Sequence, residues 1–138
     1  MDTEQNKSTY RAFIQRVFNE GRLDVLDQFL APTYQIQDAP PGTPPGAEGV
    51  KYAVSLFRDA FPDLEITLDD VVAERDSVAA RSTLRGTHRG TFFGIAPTGK
   101  TVSVTSLTMV RLVNGRLVES WVKNDTASLM SQLGAGGG

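Results

Sequence analysis

Cysteine is absent from all 138 residues, which excludes disulfides, thiolate zinc sites, iron–sulfur clusters and thiol nucleophiles. A single histidine, His88, leaves few ways to build a transition-metal site or a Ser-His-Asp triad. Neither sign of charge dominates. Fourteen Lys and Arg against sixteen Asp and Glu give a formal charge of −2, which argues against a nucleic-acid binder. No apolar run approaches the length that crosses a bilayer, and Met1 to Lys7 lacks the apolar core of a signal peptide. These absences lead us to expect a soluble, cytoplasmic protein with no membrane partner. Repeats, linkers and low-complexity runs are missing too, so residues 1–134 read as one domain and 135–138 as a flexible Gly-rich tail.

What is present is a run of helical periods followed by a run of strand periods. Tyr10, Phe13, Ile14, Val17 and Phe18 fall on one helical face, and Gly21 supplies the left-handed residue that ends it. Leu23, Leu26, Phe29 and Leu30 form a second, shorter stripe stopped by Pro32. A brief strand over residues 34–38 leads into the stiff loop from Ala39 to Gly46, which holds four prolines. That loop is expected beside a cavity mouth. A third helix carries Val50, Ala53, Val54, Phe57, Ala60 and Phe61, and Pro62 ends it. The period then changes to two through Leu64 to Leu68, Val78 to Leu84 and Val102 to Leu112. Helices first and hairpin strands afterwards make an α+β domain with an antiparallel sheet.

Asn114-Gly115 is the dipeptide favoured in two-residue hairpins. If Val113 faces Arg116, simple alternation puts Leu112, Val110, Thr108, Ser106, Leu117, Glu119, Trp121, Lys123 and Asp125 on one face. Arg111, Met109, Leu107, Val118, Ser120 and Val122 take the other. The first face is apolar near the turn and polar toward Asp125, which suits a small-molecule pocket. A partly solvated sheet face with a Glu119–Lys123 pair fits the same pattern.

Several segments resemble the SnoaL-like polyketide cyclases of the NTF2-like (nuclear transport factor 2-like) superfamily. They are Pro44 to Val50, Phe57 to Asp63, Gly86-Thr-His-Arg-Gly90, Gly94 to Lys100, and Arg111 to Gly134. Within the last, Asn114 to Trp121, Asp125 and Gln132-Leu-Gly134 keep the family's order and spacing. The resemblance implies an NTF2-like cone, a curved antiparallel sheet wrapped around three N-terminal helices, and an assembly of at least two subunits. It implies a cofactor-independent enzyme in which Asp125 is the general acid/base for an intramolecular aldol closure on a hydrophobic polyketide-type intermediate. A carboxylate desolvated in an apolar pocket is the stronger base. Trp121, Thr108, Ser106, Lys123, Gln37 and Tyr34 are the expected substrate-shaping or donor groups, with no metal. The family often carries histidines where this chain has Gln37, Thr108 and Ser120; Thr and Ser donate hydrogen bonds but carry no proton near neutral pH. A hydrolase or isomerase on the same scaffold, or a non-catalytic small-molecule binder, is the alternative.

The remaining candidates have plain structural readings beside the functional ones. His88 is a second catalytic candidate, although a lone histidine is more often a packed one. Trp121 would stack on a planar substrate or sit in the core. Tyr10 is a hydroxyl donor or simple helix packing. Asp125 would cap a final helical turn, through the N–H of Ser128 or those of Thr126 and Ala127, if it is not the base. Arg81, Arg85 and Arg89 make a basic stripe for which Asp69, Asp70 and Glu74 are ready partners. The face bearing Arg111, Met109, Leu107, Val118 and Val122 is expected to form a homodimer.

Overall fold

The fold is that of a computed structural model describing residues 2–134; the tail expected at 135–138 lies outside the described residues. Asp2 starts α1 (Thr3–Phe13) by accepting the Gln5 N–H at 2.7 Å. Tyr10, Phe13, Ile14 and Val17 are buried as their spacing requires. Beyond Phe13 the helix widens into a π-helix over Ile14–Asn19, and Gly21 ends it at φ 70°. Arg58 donates to the carbonyls of Phe18 and Asn19 at 3.0 and 2.8 Å, so the widened helix end leaves no orphaned acceptors there. A 3-10 turn (Leu23–Val25) and α2 (Leu26–Phe29) run directly into β1 (Leu30–Gln37). Pro32 thus lies inside the strand rather than before it. It is tolerated because β1 is an edge strand.

After α3 (Ala47–Ala60) come β2 (Glu65–Glu74), β3 (Ser77–Thr87), β4 (Thr101–Val113) and β5 (Arg116–Asn124). The sheet order is β1-β5-β4-β3-β2. Strands β2 to β5 are antiparallel neighbours, whereas β1 pairs with β5 in parallel, so the sheet is mixed at this one edge. Asn114 and Gly115 both have positive φ, 53° and 80°, giving the two-residue turn read from the sequence. The sheet curves over the helices and stays unclosed, and the fold is the expected α+β cone.

Two apolar clusters fill its concave side. One joins α1, the π-helix, α2 and β1 to Val78, Ala80, Val110, Leu112 and Leu117. The other joins Phe61, Leu64, Leu84, Phe92, Val102 and Val104 to Leu129 and Leu133. The last two belong to a helix that strand and helix periods did not reveal, α4 (Thr126–Gln132). Gln132 accepts the Ser103 N–H and donates to the Ser103 carbonyl, both at 2.9 Å, so its amide stands in for a neighbouring strand along β4.

Candidate active site

Between the two clusters the concave face becomes polar. Along β4, buried Val102 and Val104 lie at one end and buried Val110 and Leu112 at the other, with Ser106 and Thr108 in the middle. Ser82 on β3 pairs with Ser106, and Ser106 pairs with Asn124 on β5, so a row of small polar side chains crosses three strands. Val122 pairs with Thr108 and shares its face, yet it is 39% exposed. With Ser120 buried on one side of it and Asn124 exposed on the other, Val122 stands where the concave face meets solvent toward the end of β5.

Simple alternation placed Trp121 here instead. A β-bulge reverses it: Leu112 pairs with Leu117 but Arg111 pairs with Glu119, leaving Val118 as an extra residue on β5. Every side chain beyond Val118 therefore changes face. Trp121 and Lys123 pair with exposed Met109 and Leu107 on the convex side. Lys123 lies 3.9 Å from Asp38. Gln37, opposite Trp121, donates to Glu119 at 3.0 Å, and Arg111 donates to the same carboxylate at 2.7 Å. Neither Trp121, Lys123 nor Gln37 reaches the interior. Ser106, Thr108 and Tyr34 do, and so do Ser120 and Val122, which alternation had turned outward.

The polar groups gathered around Thr108 and Ser120 are neutral hydroxyls. Tyr34, 5% exposed, donates to Ser120 Oγ at 2.8 Å. Tyr10, 3% exposed on α1, meets the Thr108 hydroxyl and lies close to Tyr34. Burial pushes the Tyr10 phenol up to about 12, with the Thr108 contact partly opposing and Tyr34 adding to the rise. Burial also raises Tyr34, against the pull of its Ser120 bond. Tyr10 looked like helix packing in the sequence; the buried serines in otherwise apolar strands, Ser82 and Ser106, were the legible sign of a polar interior. The Pro-rich loop folds back beside Tyr34 and Ile36. A Cβ on Gly49 would strike the Pro44 carbonyl, and Gly46 lies against the Tyr34 carbonyl.

Asp125 is exposed at the N-cap of α4, where its Oδ1 accepts the Ser128 N–H at 3.0 Å. The desolvated carboxylate expected from the resemblance is not there; the capping geometry is. His88 is fully buried against Phe61, and its Nδ1 accepts the Thr98 N–H at 3.2 Å. That bond assigns the ring proton to Nε2, which has no partner among the described residues. The His88 N–H and carbonyl pair with Lys100 and Gly99, so the ring is clamped inside the loop joining β3 to β4. Arg81 is paired with Asp70 at 2.7 Å on the convex side. A groove of about 460 Å³ on that same side runs past Glu65, Arg85, Ser103 and Gln132. No three or more His, Asp or Glu side chains converge on one point among the described residues.

The fold and the sequence have counterparts among known proteins. Residues 8–133 fit the family model of the SnoaL-like polyketide cyclases. The chain belongs to that family. A relative, nogalonic acid methyl ester cyclase of Streptomyces nogalater, is 29% identical over 120 residues, covering 85% of this chain and 89% of its own. Among solved structures, TsrD from Streptomyces laurentii superposes with a TM-score of 0.87 at 31% identity, covering 98% of both chains. IdmH from Streptomyces antibioticus gives 0.81 at 38% identity, over 94% of this chain and 99% of that one. Membership of the SnoaL-like family supports a cyclase-type enzyme on this scaffold.

Proposed function

We propose that the protein closes a ring on a hydrophobic polyketide-type intermediate, by intramolecular aldol addition or a related step, without metal or organic cofactor. The observation that carries this reading is the set of hydroxyls at Ser106, Thr108 and Ser120 on the concave face, between two apolar clusters and beside solvent-accessible Val122. A flexible chain held against such a surface is folded so that its nucleophilic carbon meets its carbonyl, and orientation alone accelerates an intramolecular step greatly. Asp125 is the proposed proton acceptor and donor. It stands one residue beyond Asn124, where the row of Ser82, Ser106 and Asn124 reaches the rim. Its Oδ1 is engaged by Ser128, which leaves Oδ2 for the proton.

Two variants separate acid/base work from capping. Asn caps a helix as well as Asp does, so Asp125→Asn keeps the cap and removes the base, whereas Asp125→Ala removes both. With nogalonic acid methyl ester as substrate, Asp125→Asn is expected to lose about two to four orders of magnitude in turnover at an unchanged melting temperature. Asp125→Ala is expected to lose, in addition, about 1 kcal/mol of stability. Full turnover in Asp125→Asn would leave Asp125 as a cap only. A second reading, a non-catalytic binder of the same kind of molecule, is favoured by the exposure of Asp125. It expects ligand binding with no turnover in the unaltered chain.

A further inference from the structure

We propose that the Tyr10–Thr108 and Tyr34–Ser120 hydroxyl pairs form a two-donor site for a single ligand oxygen, the carbonyl oxygen that becomes an enolate during ring closure. The inference rests on the cyclase reading above and names the groups that hold its reacting oxygen. Register fixes the arrangement. Ser120 pairs with Val110 and Val122 pairs with Thr108, so Thr108 and Ser120 are diagonal neighbours on the concave face of adjacent strands. Each is backed by a buried phenol, Tyr10 from α1 and Tyr34 from β1.

Counting protons gives the donors. A pair of hydroxyls spends one proton on the bond between its members and keeps the other. Tyr34 donates to Ser120, so the free proton of that pair is on the Ser120 hydroxyl. At the other position the donor is the hydroxyl of Thr108, half-buried on β4 with the Tyr10 phenol as its neighbour. A hydroxyl that already accepts a hydrogen bond is a better donor in turn. Thr108 lies directly opposite Val122 and Ser120 two residues before it on the same face, so both hydroxyls sit beside the solvent-accessible end of the concave face. Burial keeps the phenols protonated through the neutral range, so the donors persist wherever the enzyme works.

The step this site serves is balanced without any further reactant. A C–H proton next to the substrate carbonyl leaves to the base at the rim, and the C–H electron pair becomes the enolate, its charge on the oxygen held by the two donors. The enolate carbon then bonds to a second carbonyl carbon of the same molecule. The oxygen of that carbonyl takes the proton back. Donors fixed in advance on the developing oxyanion are an effective form of transition-state stabilisation.

The test uses alizarin, a planar hydroxyanthraquinone whose visible spectrum reports ionisation of its own phenol, titrated against pH with and without protein. Hydrogen bonds to the charged form lower a pKa, so the bound dye is expected to ionise about one to two pH units below the free dye. Thr108→Val and Ser120→Ala are each expected to return about half of that displacement, and Thr108→Ser to preserve it. Melting curves of the same variants confirm that they are folded. A bound midpoint equal to the free one, or one unmoved in Thr108→Val and Ser120→Ala, would overturn the donor site while leaving the pocket in place. Failure of the unaltered protein to bind the dye would overturn both the donor site and the pocket on which it depends.

Discussion

Val118 is the residue on which the geometry of the site turns. As the unpaired residue of the β5 bulge it sends Ser120 and Val122 inward and Trp121 and Lys123 outward. Nothing in the amino-acid pattern announces it, because Arg116 to Asn124 alternates acceptably in either register. That is why Ser106, Thr108 and Tyr34 were legible as interior groups while Trp121, Lys123 and Gln37 were not. The first three depend on alternation within β4 and on the position of β1. The others depend on a bulge or on pairing to the strand that contains it. Tyr10 carries a measurable consequence of its burial. Its phenol is raised from 10.0 to about 12 chiefly by desolvation, so the folded state holds a proton that the unfolded chain releases first. Stability is therefore full below pH 10 and declines as the pH rises from there toward 12. Tyr10→Phe is expected to flatten that decline, which chemical denaturation at a series of alkaline pH values would measure.

Elements are held to one another by side chains that imitate backbone. Asn19, at the end of the π-helix, accepts the Ile66 N–H at 2.7 Å and donates to the Ile66 carbonyl at 3.0 Å, pinning the first helix to the start of β2. Asn19→Ala is expected to cost about 2 kcal/mol, two part-buried hydrogen bonds, in urea unfolding. The π-helix itself was not legible, since three-and-four spacing holds on either side of the widening. α4 was legible only as a final turn capped by Asp125, because seven residues with Leu129 as their one buried side chain are too few to show a period. Its signals are the Asp125 cap and Gly134 at φ 80° just past its end. Asp63 ties the turn after α3 to β3. The Thr87 N–H and then the Thr87 hydroxyl donate to its carboxylate and hold its pKa below the ordinary range. The unfolded chain takes up that proton first on acidification. The contribution is thus present above the ordinary carboxylate value and lost as pH falls through the lower folded one. Melting temperatures between neutral and acid pH are expected to fall less steeply in Asp63→Asn than in the unaltered chain.

At the scale of the molecule the two faces of one sheet divide the work. The helices cover the concave face except toward the end of β5, where Val122 and Asn124 are exposed. The convex face keeps Leu107 at 57% and Met109 at 47% exposure beside Trp121, ringed by the Arg81–Asp70 and Arg111–Glu119 pairs. An apolar centre with a polar rim is the anatomy of an interface, and we propose that a second copy of the chain covers it. Leu107→Glu is expected to give a folded monomer by light scattering where the unaltered chain gives a dimer. A monomeric mass for the unaltered chain would remove the dimer, and a dimeric mass for Leu107→Glu would remove it from this face. Trp121 then belongs to subunit contact and its neighbour Val122 to substrate, one residue apart on opposite faces.

That division is most directly tested by titrating alizarin into Val122→Trp and Trp121→Ala side by side. Crowding the solvent-accessible end of the concave face in Val122→Trp is expected to weaken binding by at least about tenfold, while Trp121→Ala, altered only on the convex face, retains it. Binding that survives in Val122→Trp and is lost in Trp121→Ala would contradict the placement of the substrate site.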